Sequence, residues 1–122
     1  MNVGDIMKRE VIKIKRDTAA PEAMKIMIEN DIGSLLVEEG GNYGIITRKD
    51  IVNKVIAHGK NPMDVKIRDI MTEPILTISP NLSITETARL MAKTNVRRFP
   101  VVDEGKLVGI ISNSDILRSA MP

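Results

Sequence analysis

Cysteine and tryptophan are missing from the 122 residues, and histidine, tyrosine and phenylalanine occur once each. The absence of cysteine excludes disulfides and thiol chemistry. A single histidine, His58, is too little for a zinc site of the usual Cys/His type, so no metal is expected, and His58 itself reads as a surface or capping residue. With only Tyr43 and Phe99 as rings, no aromatic platform can be assembled for stacking single-stranded bases. Charge of one sign is also scarce. The net charge is +2, and the densest basic groups are Lys13, Lys15 and Arg16, then Lys8-Arg9 and Arg97-Arg98, which argues against a nucleic-acid interface. No apolar run approaches the roughly 18 residues of a membrane span, and no signal-peptide pattern opens the chain. No membrane association is expected, and the cytoplasm is the default compartment. No serine nucleophile with a histidine base and no P-loop is present. Glu38-Glu39 and Asp103-Glu104 read as solvated turn charges rather than paired catalytic acids. The chain is therefore not expected to be an enzyme or to carry a catalytic cofactor.

What is present is 43% apolar and 28% charged residues, a globular profile, and an internal repeat. Asp5-Ile6-Met7 recurs as Asp69-Ile70-Met71, an offset of 64. At that offset Ile14 meets Ile78, Glu22 meets Glu86, Met27 meets Met91, Val37 meets Val101 and Gly41 meets Gly105. A one-residue insertion around Val108 then shifts the offset to 65, so that Gly44-Ile45-Ile46 meets Gly109-Ile110-Ile111 and Asp50-Ile51 meets Asp115-Ile116. Thirteen of the 48 residues from Asp5 to Val52 are identical to their partners, and the aligned stretches share their local signals. The repeat divides the chain into copies at 1–60 and 61–122.

Each copy reads as β-α-β-β-α. A short strand (Val11 to Ile14; Ile75 to Ile78) precedes an amphipathic helix. Its core face is expected at Ala20, Ala23, Met24, Met27 and Ile28 in copy one, and at Ile84, Ala88, Met91, Ala92 and Val96 in copy two, both at a 3.6-residue period. The methionines among these are read as packing groups. Pro21 suits a first helical turn, and Ser83 with Glu86 forms a capping-box signature. Hairpins follow, Ser34 to Glu38 with Tyr43 to Thr47, and Arg98 to Asp103 with Leu107 to Ser112, each turning at glycine. A last helix begins at Thr47 or Ser112. A three-stranded sheet with helices on one face needs cover on the other, so the two units are expected to pack about a pseudo-two-fold axis.

The strand-to-helix junctions Gly44-Ile45-Ile46-Thr47-Arg48-Lys49-Asp50 and Gly109-Ile110-Ile111-Ser112-Asn113-Ser114-Asp115 carry a hydroxyl at the N-cap and a carboxylate three residues on. Two readings are open. One is a plain helix cap, with the acid favoured by the helix dipole. The other is a ribose-and-phosphate corner, in which N–H groups and the hydroxyl meet an anion while the carboxylate accepts from a ribose diol.

These junctions, the Asp-Ile-Met openings, Phe99-Pro100-Val101-Val102-Asp103 and Gly33-Ser34-Leu35-Leu36-Val37 resemble the CBS motif (cystathionine β-synthase domain). From Val3 to about Ala120 the chain is similar to a stand-alone CBS pair, or Bateman module. The resemblance implies an α/β fold of two CBS motifs packed through their sheets, frequently as a homodimer. It implies an adenosine ligand (AMP, ADP, ATP or S-adenosylmethionine) in the clefts between motifs, with Asp50 or Asp115 on the ribose and Thr47 or Ser112 beside it. Adenine would be gripped in copy one by Glu10, Ile12, Ile32, Gly33, Ser34 and Ile45, and in copy two by Pro74, Leu76, Val96, Arg97 and Ile110; Arg48 and Asn113 open the two last helices.

Where copy one has Gly33 and Ser34, copy two has Arg97 and Arg98. Small residues admit a flat base close to backbone, and guanidinium groups suit phosphate. One preferred site is therefore expected, with ribose on Asp50 and phosphate near Arg97, Arg98 and Arg48; the bland alternative is that Arg97 and Arg98 are solvated surface charges. The leading reading is a regulatory adenosine-nucleotide sensor acting on a protein in trans. The alternatives are a structural dimerisation module with empty clefts, or a weak nucleic-acid binder.

Overall fold

The computed structural model describes residues 1–122 and is a mixed α/β protein with two sheets. It resolves into two compact units: Ile12–Ile75, and Met1–Val11 together with Leu76–Pro122. The linear repeats and the folded units therefore part company at the N-terminus, whose first eleven residues belong with the hairpin of copy two.

In the Ile12–Ile75 unit, β1 (Lys13–Ile14) runs parallel to β2 (Ser34–Glu39), which pairs antiparallel with β3 (Asn42–Thr47). Helix α2 (Ala20–Asn30) buries Ala20, Ala23 and Met27 against Leu35, Val37 and Ile46 of the sheet. Pro21 sits in its first turn, and Asp31, in left-handed conformation, ends it. A last helix opens with one α-turn, α3 (Arg48–Ile51), and continues as a π-helical turn over Val52–Ile56.

The other unit opens with α1 (Val3–Ile6) and carries α4 (Ile84–Thr94), the antiparallel pair β4 (Arg98–Asp103) and β5 (Lys106–Ser112), and α5 (Asn113–Ser119). Its core is Val3, Ile78, Phe99, Val101 and Ile111. The expected strand over Ile75 to Ile78 shrinks to a single parallel bridge, Ile78 to Val101. Ile78 donates to Pro100 O at 3.0 Å and accepts from Val102 N at 2.9 Å. Pro80, two residues on, and Pro100 of the partner strand have no N–H with which to extend this ladder. In copy one the expected strand over Val11 to Ile14 likewise keeps only its last two residues.

Both hairpins close as two-residue turns with positive φ at both central positions: Gly40 (59°) and Gly41 (79°), Glu104 (49°) and Gly105 (77°). That mirror-image turn matches the twist of the flanking strands. The insertion at Val108 is a β-bulge: Val101 pairs with Gly109 and Val102 with Leu107, leaving Val108 unpaired. Glu104 is the one turn position without a residue suited to positive φ. Glu104→Asn, which creates Asn-Gly, is expected to raise the unfolding free energy by about 0.5–1 kcal/mol, read from the urea midpoint; an unchanged or lower midpoint would refute it.

Two expected core faces are corrected. Ile28 is 78% exposed, and Ala88 and Ala92 are exposed. The buried stripe of α4 instead passes through Thr87, whose hydroxyl donates to Ser83 O at 2.8 Å, with Leu90 and Met91 against the core. The period is helical as expected, but the stripe lies to one side of the alanines. The Ser83–Glu86 box is half formed: Ser83 Oγ accepts from Glu86 N at 3.1 Å, while the Glu86 carboxylate turns to Arg89.

The most consequential feature is where the Asp-Ile-Met openings lie. Beyond Met7, Lys8 exchanges two main-chain bonds with Ile110 of β5, both 2.9 Å. Beyond Met71, Thr72 does the same with Ile45 of β3, again both 2.9 Å. Each opening thus crosses the hairpin of the other copy, over its glycine. A Cβ on Gly109 would stand 2.7 Å from Lys8 O, and one on Gly44 would stand 2.8 Å from Thr72 O. Only glycine allows main chain to pass this close.

Candidate functional site

The register that pairs Ser34 with Thr47 and Arg98 with Ser112 brings the start of each hairpin beside the start of the following helix. In the Ile12–Ile75 unit, Thr47 N and Oγ1 both donate to Asp50 Oδ2 at 2.9 Å, and Asp50 N donates to Thr47 Oγ1 at 3.1 Å. The other unit repeats this: Ser112 N and Oγ donate to Asp115 Oδ2 at 2.8 and 2.9 Å, and Asp115 N returns a bond to Ser112 Oγ at 3.2 Å. The first helical N–H is also used, Arg48 N by Gly33 O at 2.8 Å and Asn113 N by Arg97 O at 2.9 Å. Each corner is thus a complete capping box with little free main-chain N–H left for an anion.

The boxes consume one carboxylate oxygen each. The other, Oδ1, faces a cation one helical turn on: Lys54 Nζ lies 3.1 Å from Asp50, and the Arg118 guanidinium contacts Asp115. Both cations are about half exposed (48% and 59%), while the carboxylates are 15% and 4% exposed. A largely buried acceptor of fixed position is therefore covered by a long, half-exposed cation, and Lys54 Nζ also donates to Ile70 O at 2.9 Å. Lys54 and Arg118 are absent from the residues singled out in the sequence, although spacings of four and three from an aspartate on a helix are readable signals.

Gly33, Ser34, Thr47, Arg48 and Asp50 gather at one end of the first hairpin. Without a side chain at Gly33, the Arg48 guanidinium lies over it, 3.8 Å from where a Cβ would stand. Ile45 sits two residues along β3, opposite Thr72, and Ile12 is 41% exposed just before β1. Ile32 packs on the core edge. Arg97, Arg98, Ser112, Asn113 and Asp115 gather in the same way, with Val96 against the core and Ile110 opposite Lys8. Glu10 belongs to the unit holding the copy-two hairpin, together with Leu76, whereas Pro74 belongs to the unit holding the copy-one hairpin. Beside Asp115 lies an open depression of about 390 Å³ lined by Ile6, Lys8, Asp115, Arg118 and Ser119. Arg98 is half-buried; burial holds its guanidinium below the usual range, against the opposing pull of Asp115 and with a further push from Arg97.

The CBS domain family matches residues 3–57 and 67–121. The chain is a CBS domain pair. An uncharacterised protein of Methanopyrus kandleri is 40% identical over 121 residues, covering 97% of this chain and 62% of that protein, so the pair spans less than two thirds of that relative. A hexameric CBS-CP12 protein from bloom-forming cyanobacteria has 38% identity and a TM-score of 0.89, over 98% of this chain and 72% of that one. A CBS domain pair solved in complex with 5′-methylthioadenosine and S-adenosyl-L-methionine has 34% identity and a TM-score of 0.83, over 98% and 94% of the two chains.

Several basic groups of the pair are engaged internally. Lys13 Nζ meets Glu38 Oε1 at 2.9 Å, and Arg16 grips Glu73 with two bonds of 3.0 and 2.8 Å. The Lys13 ammonium, and then the Tyr43 hydroxyl, hold the Glu38 carboxyl below its usual range, so Glu38 is a paired strand residue rather than a solvated turn charge. Two of the three residues in the densest basic cluster thus already have carboxylate partners. The CBS pair contains no group of three or more metal-ligating side chains, and no helix is long and apolar enough to cross a membrane.

Proposed function

We propose that this CBS pair is a regulatory module that binds an adenosine ligand, a nucleotide or S-adenosylmethionine, and acts on a protein partner in trans. The observation that carries the reading is the aspartate of each corner, with one oxygen locked in the cap and the other behind a half-exposed cation. A ribose diol donates two hydroxyls to such an oxygen, and the displaced Lys54 or Arg118 ammonium or guanidinium stays nearby for phosphate or carboxylate. The ligands of the methylthioadenosine and S-adenosylmethionine complex belong to the same chemical class.

The Asp50 corner is the preferred one. Its carboxylate is the more exposed of the two, and small Gly33 and Ser34 stand where the Asp115 corner has Arg97 and the half-buried Arg98. A structural module without ligand is the second reading, favoured by the fact that both Oδ1 atoms already have intramolecular partners.

The test is a thermal-shift and titration series with AMP, ADP, ATP, S-adenosylmethionine and methylthioadenosine. Ligand at a hundredfold its Kd should stabilise the fold by about 2.7 kcal/mol. Asparagine keeps an acceptor for the cap but removes the charge, so Asp50→Asn should weaken binding about tenfold to a hundredfold with the fold intact; Asp115→Asn should change it less. A flat response to every ligand overturns the sensor reading. Equal losses at the two aspartates, or none at Asp50, overturn the preference for one corner.

A further inference from the structure

The last helix of copy one departs from that of copy two where it carries its cation. After one α-turn it widens into the π-turn Val52–Ile56, whereas α5 stays α-helical from Asn113 to Ser119. Lys54 lies in the π-turn, a feature that recurs at functional positions of helices. Its Nζ stands 3.1 Å from Asp50 Oδ1 and donates to Ile70 O at 2.9 Å. An ammonium has three donors, so it can hold both acceptors at once. Ile70 closes the short 3-10 turn Ile67–Asp69 and is buried. No main-chain N–H donates to its carbonyl, and a cation suits a carbonyl at a helix end. Two residues on, Thr72 exchanges its pair of bonds with Ile45, over Gly44. One side chain thus spans from the corner to the segment that crosses the hairpin. Copy two has no such tie. At the offset of 65 Lys54 corresponds to Ser119, whose hydroxyl turns back to Ile116 O at 2.7 Å. Arg118 bonds Asp115 and not the carbonyl of Ile6, the counterpart of Ile70.

We propose that Lys54 is a coupling residue: it ties the Asp50 carboxylate to the crossing segment Ile70–Thr72, so that occupation of the corner is transmitted to the crossing. That a ligand works the tie rests on the adenosine reading; the tie itself does not. A ligand hydroxyl that takes Oδ1 leaves the ammonium with one neutral acceptor on a half-exposed stem. Losing the charged partner removes most of what fixes the ammonium, and the crossing is then held less firmly. Linkage makes the effect reciprocal. Whatever removes Lys54 from Oδ1 loosens the crossing and frees that oxygen for a ligand.

Amide hydrogen exchange of the full chain without ligand reads the tie at Ile45 and Thr72, with helix α2 of the same unit as reference. Lys54→Met keeps the stem and removes the ammonium. Exchange at both amides should rise about tenfold while α2 is unchanged. Asp50→Asn should raise it about threefold. Added to Lys54→Met it should raise it no further, because Asp50 acts on the crossing only through Lys54. Methylthioadenosine has no phosphate or carboxylate for the ammonium to pair with, so Lys54→Met should bind it about fivefold more tightly than the wild type. Unchanged exchange in Lys54→Met, an equal rise in α2, or effects of the two substitutions that add overturns the proposal. Equal or weaker binding of methylthioadenosine by Lys54→Met overturns it too. The two failures are distinguishable. A wild type that binds no adenosine ligand overturns the adenosine reading, and with it ligand control of the tie, whatever the exchange of the ligand-free variants. A wild type that binds, with exchange at Thr72 unmoved by Lys54→Met, overturns the tie alone.

Discussion

Phe99→Ala is expected to lower the unfolding free energy by about 3–5 kcal/mol, the range for emptying a fully buried aromatic site. Phe99 is 0% exposed and is the largest fully buried side chain of the chain. The unit it belongs to has a core cluster of only five buried residues, against eleven in the Ile12–Ile75 unit. Its buried cluster partners, Val3, Ile78, Val101 and Ile111, are all β-branched and stiff at χ1, so they adjust poorly to an emptied site. Leu35 occupies the equivalent position in the other repeat and sits among many more aliphatics. Leu35→Ala should cost about 2–5 kcal/mol, in the lower part of that range because its surroundings can collapse. Urea denaturation followed by circular dichroism measures both losses, and hydrogen exchange locates them. For Phe99→Ala, protection should fall first at β4 and β5. A loss below about 1.5 kcal/mol, or exchange rising first in β2 and β3, would refute the assignment.

Adding a single methyl group at either crossing glycine should also destabilise the fold, though by less. Gly109→Ala places a Cβ 2.7 Å from Lys8 O and 2.7 Å from Met7 Sδ, and Gly44→Ala places one 2.8 Å from Thr72 O. A thioether can swing aside, but the carbonyls cannot: Lys8 O and Thr72 O are bonded at 2.9 Å to Ile110 N and Ile45 N, so they move only if the crossing segment leaves its hairpin. Overpacking of this kind costs about 1–3 kcal/mol. The diagnostic is a double substitution. Trimming the methionine in the glycine variant, Met7→Ala with Gly109→Ala, should recover little or nothing, because the carbonyl clash remains. Full recovery would show that side-chain crowding alone requires the glycine.

That crossing also marks the boundary of what was legible beforehand. The hairpins and both capping boxes are set by residues within a few positions of one another, and each is readable from propensity and spacing. Even the one-residue slip in the repeat located a real object: Val108, which breaks the offset, is the bulged residue of β5. The glycines of Gly44-Ile45-Ile46 and Gly109-Ile110-Ile111 looked like part of a junction motif. Their reason lies far along the chain, at Thr72 for Gly44 and at Lys8 for Gly109, in the backbone that passes over them.

The repeat with which the sequence identifies itself is a local fact, and so are its turns, caps and carboxylate corners, because short-range hydrogen bonds and fixed φ preferences decide them. Tertiary structure alone decided which helical stripe is buried, since Ala88, Ala92 and Ile28 fit the period as well as Thr87 and Leu90 do. It also decided that each Asp-Ile-Met opening lies against the other copy's hairpin. Periodicity defines a stripe only to within a residue or so. Pairing between distant main-chain segments depends on where the chain returns in space, and no window of neighbouring residues contains that.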